Sequence, residues 1–175
     1  MRHPHGRITR QRFGCVAWLL VLILAALAGC GFHLSAATPP PFKTLYIDAP
    51  SYSSFAGELK RYIGSGDQPK LAARPEEAQV VLQVLSEAQE LQILSLTTAG
   101  QVAEYQLRYR VVFRLHDNAN KDWIAPNEIL LLRDLTYDAQ AVLAKDNEMQ
   151  LLYQSMRQDA VRQTMRRMSQ AHSPS

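Results

Sequence analysis

Arg108, Arg110 and Arg114 stand at even positions of one run of the chain. Ala103, Tyr105, Leu107, Tyr109, Val111, Phe113 and Leu115 occupy the odd positions of the same run. Strict period-two alternation is the pattern of a strand with one buried and one wet face, so the three guanidinium groups share the wet face. A planar guanidinium fork meets two phosphate oxygens at once, which makes this face a candidate for phosphate-bearing ligands. The alternative is three solvated arginines with acidic cross-strand neighbours. Other reactive side chains are scattered. His33, His116 and His172 share no helix face and no metal-ligand spacing. Neither a G-x-S-x-G elbow nor a phosphate-binding glycine loop occurs. Asp134 and Asp138 read as solvated strand carboxylates rather than an acid–base pair. The chemistry on offer is binding, and no enzyme, metal site or soluble cofactor is expected.

Cys30 offers a different chemistry. It closes the sequence Leu27-Ala28-Gly29-Cys30, after a basic stretch (Arg2, Arg7, Arg10, Arg12) and the uncharged run from Phe13 to Ala28. A charged segment, an apolar segment and small residues at a cut site describe a secretory signal. The apolar run falls short of the roughly 20 residues a spanning helix needs. Leu-Ala-Gly-Cys resembles the bacterial lipobox, in which the thiol is acylated and the chain is cut just before it. On this reading residues 1–29 are a signal peptide that is removed, and Cys30 carries N-acyl and S-diacylglycerol groups. The alternative is an uncleaved anchor with an incidental cysteine. Each buried methylene contributes about 0.8 kcal/mol, so several chains hold a membrane without help from a basic patch. By the same resemblance, Gly31 in place of aspartate directs the lipoprotein to the outer membrane.

Removing the leader changes the charge balance. The sequence has 19 basic and 16 acidic residues; four of the basic ones lie in the leader, leaving 15 against 16. The basic excess therefore belongs to the signal, and nucleic acid is not an expected partner. Of the two cysteines, Cys15 leaves with the leader and Cys30 is lipidated, so no disulfide is expected and packing alone must hold the domain.

The elements that must position the arginines follow from periodicity. Residues 30–42, with Pro39, Pro40 and Pro41, read as a lipidated N-terminus and tether. Residues 43–169 read as a single α+β domain and 170–175 as a frayed tail. A strand is predicted over Lys43–Ala49. A helix follows the candidate caps Ser51 to Ser54, with Phe55, Leu59, Tyr62 and Ile63 on its apolar face and Gly64-Ser65-Gly66 as its stop. A polar connection with Pro69 and Pro75 leads to a long strand from Val80 to about Leu96, whose alternation slips between Ser86 and Leu91, as at a bulge. Thr97 to Gly100 forms the turn into the arginine-bearing strand. His116 to Lys121 is a second turn, and Glu128 to Asp138 a further strand with Leu130, Leu132 and Leu135 as core candidates. The last helix is capped by Asp146, and Met149, Leu152, Tyr153, Met156, Ala160 and Met168 form its apolar stripe. The predicted order is β-α-β-β-β-α, two helices packed on one face of a four-stranded, mainly antiparallel sheet. The arginine face then meets water or a partner.

Three segments carry a family resemblance: Cys30-Gly31-Phe32-His33-Leu34, Gly100-Gln101-Val102-Ala103-Glu104-Tyr105, and Leu143-Ala144-Lys145-Asp146-Asn147-Glu148. In this order, with the β-α-β-β-β-α pattern, the chain resembles the LPS-assembly lipoprotein LptE (RlpB) family over essentially its whole mature length. The resemblance implies a periplasm-facing, outer-membrane lipoprotein that sits largely within the lumen of the LptD β-barrel. There it would plug the barrel, assist its assembly and bind lipopolysaccharide in transit to the outer leaflet. It also implies a contact role for Lys145, placed just before a helix start whose amides attract anions; a surface ion pair is the plainer use. Asp146 and Asn147 are expected to cap that helix. The family's other basic contact tends to lie in the hairpin turn, which here is the uncharged Thr97-Thr98-Ala99. A second cationic point would then fall to Arg108 or Arg110. The rival reading is a periplasmic lipid-binding auxiliary lipoprotein of another envelope lipid transporter.

Overall fold

The structure is a computed structural model and describes residues 39–67 and 69–173. The signal peptide, Cys30 and most of the tether lie outside the described residues. The elements are β1 (Thr44–Asp48), α1 (Ser54–Gly64), β2 (Lys70–Leu71), a 3-10 turn (Pro75–Glu77), β3 (Val80–Leu96), β4 (Val102–His116), β5 (Asp122–Thr136) and α2 (Val142–Ser169). They build one sheet in the order β2-β1-β3-β4-β5. β1 runs parallel to both of its neighbours, and β3, β4 and β5 are antiparallel.

The α+β class and the two helices match the expectation, but the sheet has five strands rather than four. The additional strand is Lys70-Leu71, both residues exposed, paired with Thr44 and Leu45. Two exposed residues have neither length to alternate nor a buried face to mark, so periodicity reads them as loop.

The β4 pattern holds: Leu107, Tyr109, Val111, Phe113 and Leu115 are fully buried. Both helices contribute to the same core cluster as these residues, through Phe55, Leu59 and Ile63 of α1 and Tyr153, Met156, Val161 and Met168 of α2. Ser53 caps α1, its Oγ accepting from the Ala56 amide at 3.0 Å. Ala56 rather than Tyr62 completes the buried face of α1, and Tyr62 is exposed.

Three further expectations are corrected. β5 begins at Asp122, well before Glu128. Pro126 argues against a central strand, but β5 is an edge, where a missing amide donor leaves no ladder bond broken. Leu130 and Leu132 are exposed, whereas Ile129 and Leu135 are buried; the run Ile129 to Leu132 is apolar at every position, so alternation sets no phase there. Finally, α2 starts at Val142, and Ala141 at its N-cap makes no side-chain cap bond. The turn before it is held instead by Asp138, whose Oδ1 accepts from the Gln140 amide at 2.9 Å and whose carbonyl accepts from the Ala141 amide at 3.0 Å. Asp146 and Asn147 therefore lie inside the helix and cap nothing.

The core also takes in residues from both flanks. Phe42, assigned to the tether, is 1% exposed, and its ring meets Trp123 edge-on with centroids 6.0 Å apart. Ala171, assigned to the tail, is buried as well.

Candidate functional site

The β4 register sets the arginine geometry. Arg108 lies opposite Leu132 and Glu90, Arg110 opposite Leu130 and Ala88, all on the face away from the helices. Each arginine has an acidic neighbour: Arg108 to Glu90 at 3.7 Å, Arg110 to Glu128 at 3.9 Å, and Arg114 to Asp122 at 3.8 Å. Arg108 also donates to Gln92 Oε1 at 3.1 Å, and Arg114 donates to Asn120 Oδ1. These long, partly exposed pairs are worth little in stability. The Nε atoms of Arg108 and Arg114 are buried without a hydrogen-bond partner, so part of the donor fork stays unused. The open face is thus a ladder of balanced charges interrupted by exposed Leu130 and Leu132, not a bare cationic patch.

Lys145 lies on the other side of the sheet. It is the fourth residue of α2, and its Nζ donates to Glu148 Oε2 at 2.9 Å. It borders a small cleft with Asp146, Leu91, Tyr105, Leu135, Tyr137 and Met149, in which Tyr105 and Tyr137 pack edge-to-face at 5.2 Å. The structure therefore gathers the three arginines on one face and leaves Lys145 alone on the opposite one. A clamp combining Lys145 with Arg108 or Arg110 is excluded, because the sheet stands between them.

Two features escaped the sequence reading. The first is the outer half of β3. β1 pairs with β3 only from Val80 to Gln83, and beyond that Leu91, Ile93, Leu94 and Leu96 are exposed. Leu91 and Ile93 lie opposite Leu107 and Tyr105, hence on the Lys145 side. The register shift at Val84/Ser86 reverses the phase at the near edge of the Ser86–Leu91 stretch, which itself pairs without a break; the broken alternation was the only sequence signal. The second is Glu87, which accepts from Ser53 Oγ at 2.6 Å, Tyr109 Oη at 2.7 Å and the Phe55 amide at 3.1 Å. No motif announces it, because its partners lie far off in the sequence, at the start of α1 and on β4.

Burial, reinforced by the hydrogen bond to Glu87, pushes the Tyr109 hydroxyl above the ordinary tyrosine range. Burial and the nearby Glu90 carboxylate raise Tyr153 as well. A folded-state pKa above the unfolded value contributes stability that is complete below about pH 10 and declines as pH rises past it. Chemical denaturation at pH 11 should therefore give a lower unfolding free energy than at pH 9, with a limiting slope of about 1.4 kcal/mol per pH unit for one such group. Tyr109→Phe should make the profile shallower; an unchanged profile in that variant would remove Tyr109 as the cause.

The family model for lipopolysaccharide assembly, LptE, matches residues 42–168. The chain belongs to the LptE family. It is 30% identical over 158 residues to the LPS-assembly lipoprotein LptE of Pectobacterium atrosepticum, covering 85% of this chain and 83% of that one. It is 25% identical over 161 residues to the LptE of Yersinia enterocolitica, covering 88% and 75%. Among solved structures it is similar to an uncharacterized lipoprotein B from Nitrosomonas europaea, with TM-score 0.68, 37% identity and coverage of 79% and 90%. Rare lipoprotein B from Shewanella oneidensis gives TM-score 0.64 and 26% identity, with coverage of 73% and 95%. An LptE-family protein is an envelope-associated, non-enzymatic lipoprotein with a role in lipopolysaccharide transport and outer-membrane assembly. Among the described residues no helix is long and apolar enough to cross a membrane.

Proposed function

We propose that this LptE-family protein is held at the outer membrane by the lipid on Cys30, occupies the lumen of an LptD β-barrel as plug and assembly factor, and binds lipopolysaccharide there. The observation that carries the ligand half is Lys145 beside a cleft lined by Tyr105, Leu135, Tyr137 and Met149. Exposed Leu91 and Ile93 continue the apolar surface on the same face. A cation beside a mainly apolar cleft suits a ligand that joins phosphates to acyl chains, provided the phosphate displaces Glu148 from Lys145 and lies clear of Asp146, which also lines the cleft. The helix-start amides named above add less than expected, since Lys145 already lies within the first turns of α2.

The lumenal half draws on the open face. Barrel interiors are polar and wet, and a ladder of paired Arg108, Glu90, Arg110 and Glu128 meets such a wall without stranding a charge. On this assignment Arg108 and Arg110 serve the barrel wall and Lys145 the ligand.

Affinity purification of the lipidated protein from detergent extracts tests the partner: a large outer-membrane barrel should accompany it, and recovery of the protein alone would defeat the proposal. Lys145→Ala should weaken lipopolysaccharide binding by about tenfold, the size of one charge-assisted contact, with the melting temperature preserved. Arg110→Ala should leave that binding within about twofold. The reverse pattern would move the ligand to the open face. Competition with phospholipid separates the rival lipid-carrier reading, which requires phospholipid to bind at least as tightly.

A further inference from the structure

The sheet has two long stretches of edge. One is the outer half of β3, whose free run is bounded by register shifts at Val84/Ser86 and from Ile93 to Leu96, irregularities of the kind that spoil strand addition. The other is β5, which pairs with β4 without a break from Asn127 to Thr136. A regular, unpaired edge of that length is a template for a further strand.

Successive residues of such a ladder turn their backbone groups alternately toward and away from the paired strand. Arg167 of α2 donates through Nη1 to the Glu128 carbonyl at 2.9 Å and also to Asn127 Oδ1. Arg133 donates through Nη1 to the Leu132 carbonyl at 2.8 Å, while its Nη2 donates to Asp159 of α2 at 2.9 Å. Glu128 and Leu132 share one parity, so the backbone groups of Glu128, Leu130, Leu132 and Asp134 all face away from β4. The two guanidinium groups therefore occupy the lane, about 4.8 Å from β5, in which a sixth strand would run. Pro126, just before, has no amide to offer.

The side chains along the edge decide what it accepts. Leu130 and Leu132 are each 42% exposed on the open face beside it. A second copy of β5, antiparallel about a two-fold axis at Leu130, sets Leu130 beside Leu130 and Leu132 beside Glu128. The other face of the same pair sets Leu131 beside Ile129 and Arg133 beside Asn127, so no like charges meet. Moving the axis to Leu131 opposes Glu128 and Asp134, a like-charge pair, and moving it to Leu132 sets Leu130 against Asp134. The first register shields the leucines and uses one patch on both copies, as a two-fold interface must.

We infer that the β5 edge is a self-docking surface that Arg133 and Arg167 hold shut, and that displacing them joins two copies into one continuous sheet. The contact proposed at Lys145 makes no use of this edge, so the two readings fail separately. The test uses the full lipidated protein in detergent micelles and compares the parent with the double variant Arg133→Thr, Arg167→Ala. In the double variant the amides of Leu130, Leu132 and Asp134 should exchange hydrogen at least about tenfold more slowly than in the parent. Adding Leu130→Cys to both tests the register, because paired Cα atoms there lie about 5.5 Å apart, within disulfide reach. The cross-link should form at least about tenfold faster in the uncapped background. Leu130→Lys in that background should restore single copies by opposing two like charges. Asp159→Asn releases Arg133 alone; it should act in the same direction, more mildly, and serves if the double variant melts early. The inference is overturned if the uncapped variants stay single with those amides unprotected, if the parent cross-links as fast, or if protection appears at Gln89, Leu91 and Ile93 of β3 instead.

Discussion

Phe42→Ala is expected to lower folding stability by about 3–5 kcal/mol, the range for truncating a large buried aromatic side chain. The ring is 1% exposed and packs edge-on against Trp123, a geometry that adds about 1 kcal/mol beyond the area buried. Truncation opens a void beneath Trp123, which is itself only partly buried against the core. For a domain of this size the melting temperature should fall by roughly 10 °C. Equilibrium denaturation of the variant measures the effect directly. A loss below about 1 kcal/mol would mean that Phe42 belongs to the tether and that the domain starts after it. The consequence reaches function, because Phe42 is the first residue matched by the family model. As a core residue, Phe42 fixes the start of the domain beside Trp123 of β5.

How much of this was legible in the sequence depends on what each residue's neighbours reveal. β4 was readable throughout, because every odd position is apolar and nearly every even one polar. Its buried set emerged intact. β5 was not, because Ile129 to Leu132 is apolar on both faces and only the register with Arg108 and Arg110 assigns them. The start of α2 was missed because a turn centred on Asp138 launches it without a polar cap. That error mattered for the site. It placed Lys145 ahead of a helix N-terminus when the residue is already inside the helix. The arginines were correctly gathered on one face, yet no strand pattern tells on which side of the sheet a residue of a distant helix falls. Separating Lys145 from Arg108 and Arg110 required the three-dimensional packing of α2, since their sequence spacing is compatible with either side.

Glu87→Ala should cost about 3 kcal/mol, as hydrogen bonds to a charged acceptor contribute about 1.5–3 kcal/mol each and are not additive. Its carboxylate accepts from Tyr109 Oη, Ser53 Oγ and the Phe55 amide, so one deletion strands donors on β4 and at the start of α1. Tyr109 is fully buried and Ser53 nearly so, which leaves water poorly placed to substitute. Glu87→Gln should cost less, about 1–2 kcal/mol, because the amide keeps one acceptor oxygen while turning its NH2 group toward another donor. Tyr109→Phe removes the hydroxyl and leaves the ring packed. In a double-mutant cycle, Glu87→Gln and Tyr109→Phe should couple by at least about 1 kcal/mol; independent effects would show that the contact carries no energy of its own. Glu87 also stands at a break in the sheet. It follows the register shift between Val84 and Ser86, where β3 leaves its pairing with β1 and begins the outer half that carries Leu91 and Ile93. By holding the α1 start at that point, Glu87 confines α1 to the inner half of the sheet. Releasing α1 should therefore loosen the boundary of the exposed apolar shelf, and Glu87→Ala should weaken lipopolysaccharide binding beyond what its stability loss alone produces. Binding measured well below the variant's melting temperature separates the two effects: parental affinity under those conditions would reduce Glu87 to a stabilising residue.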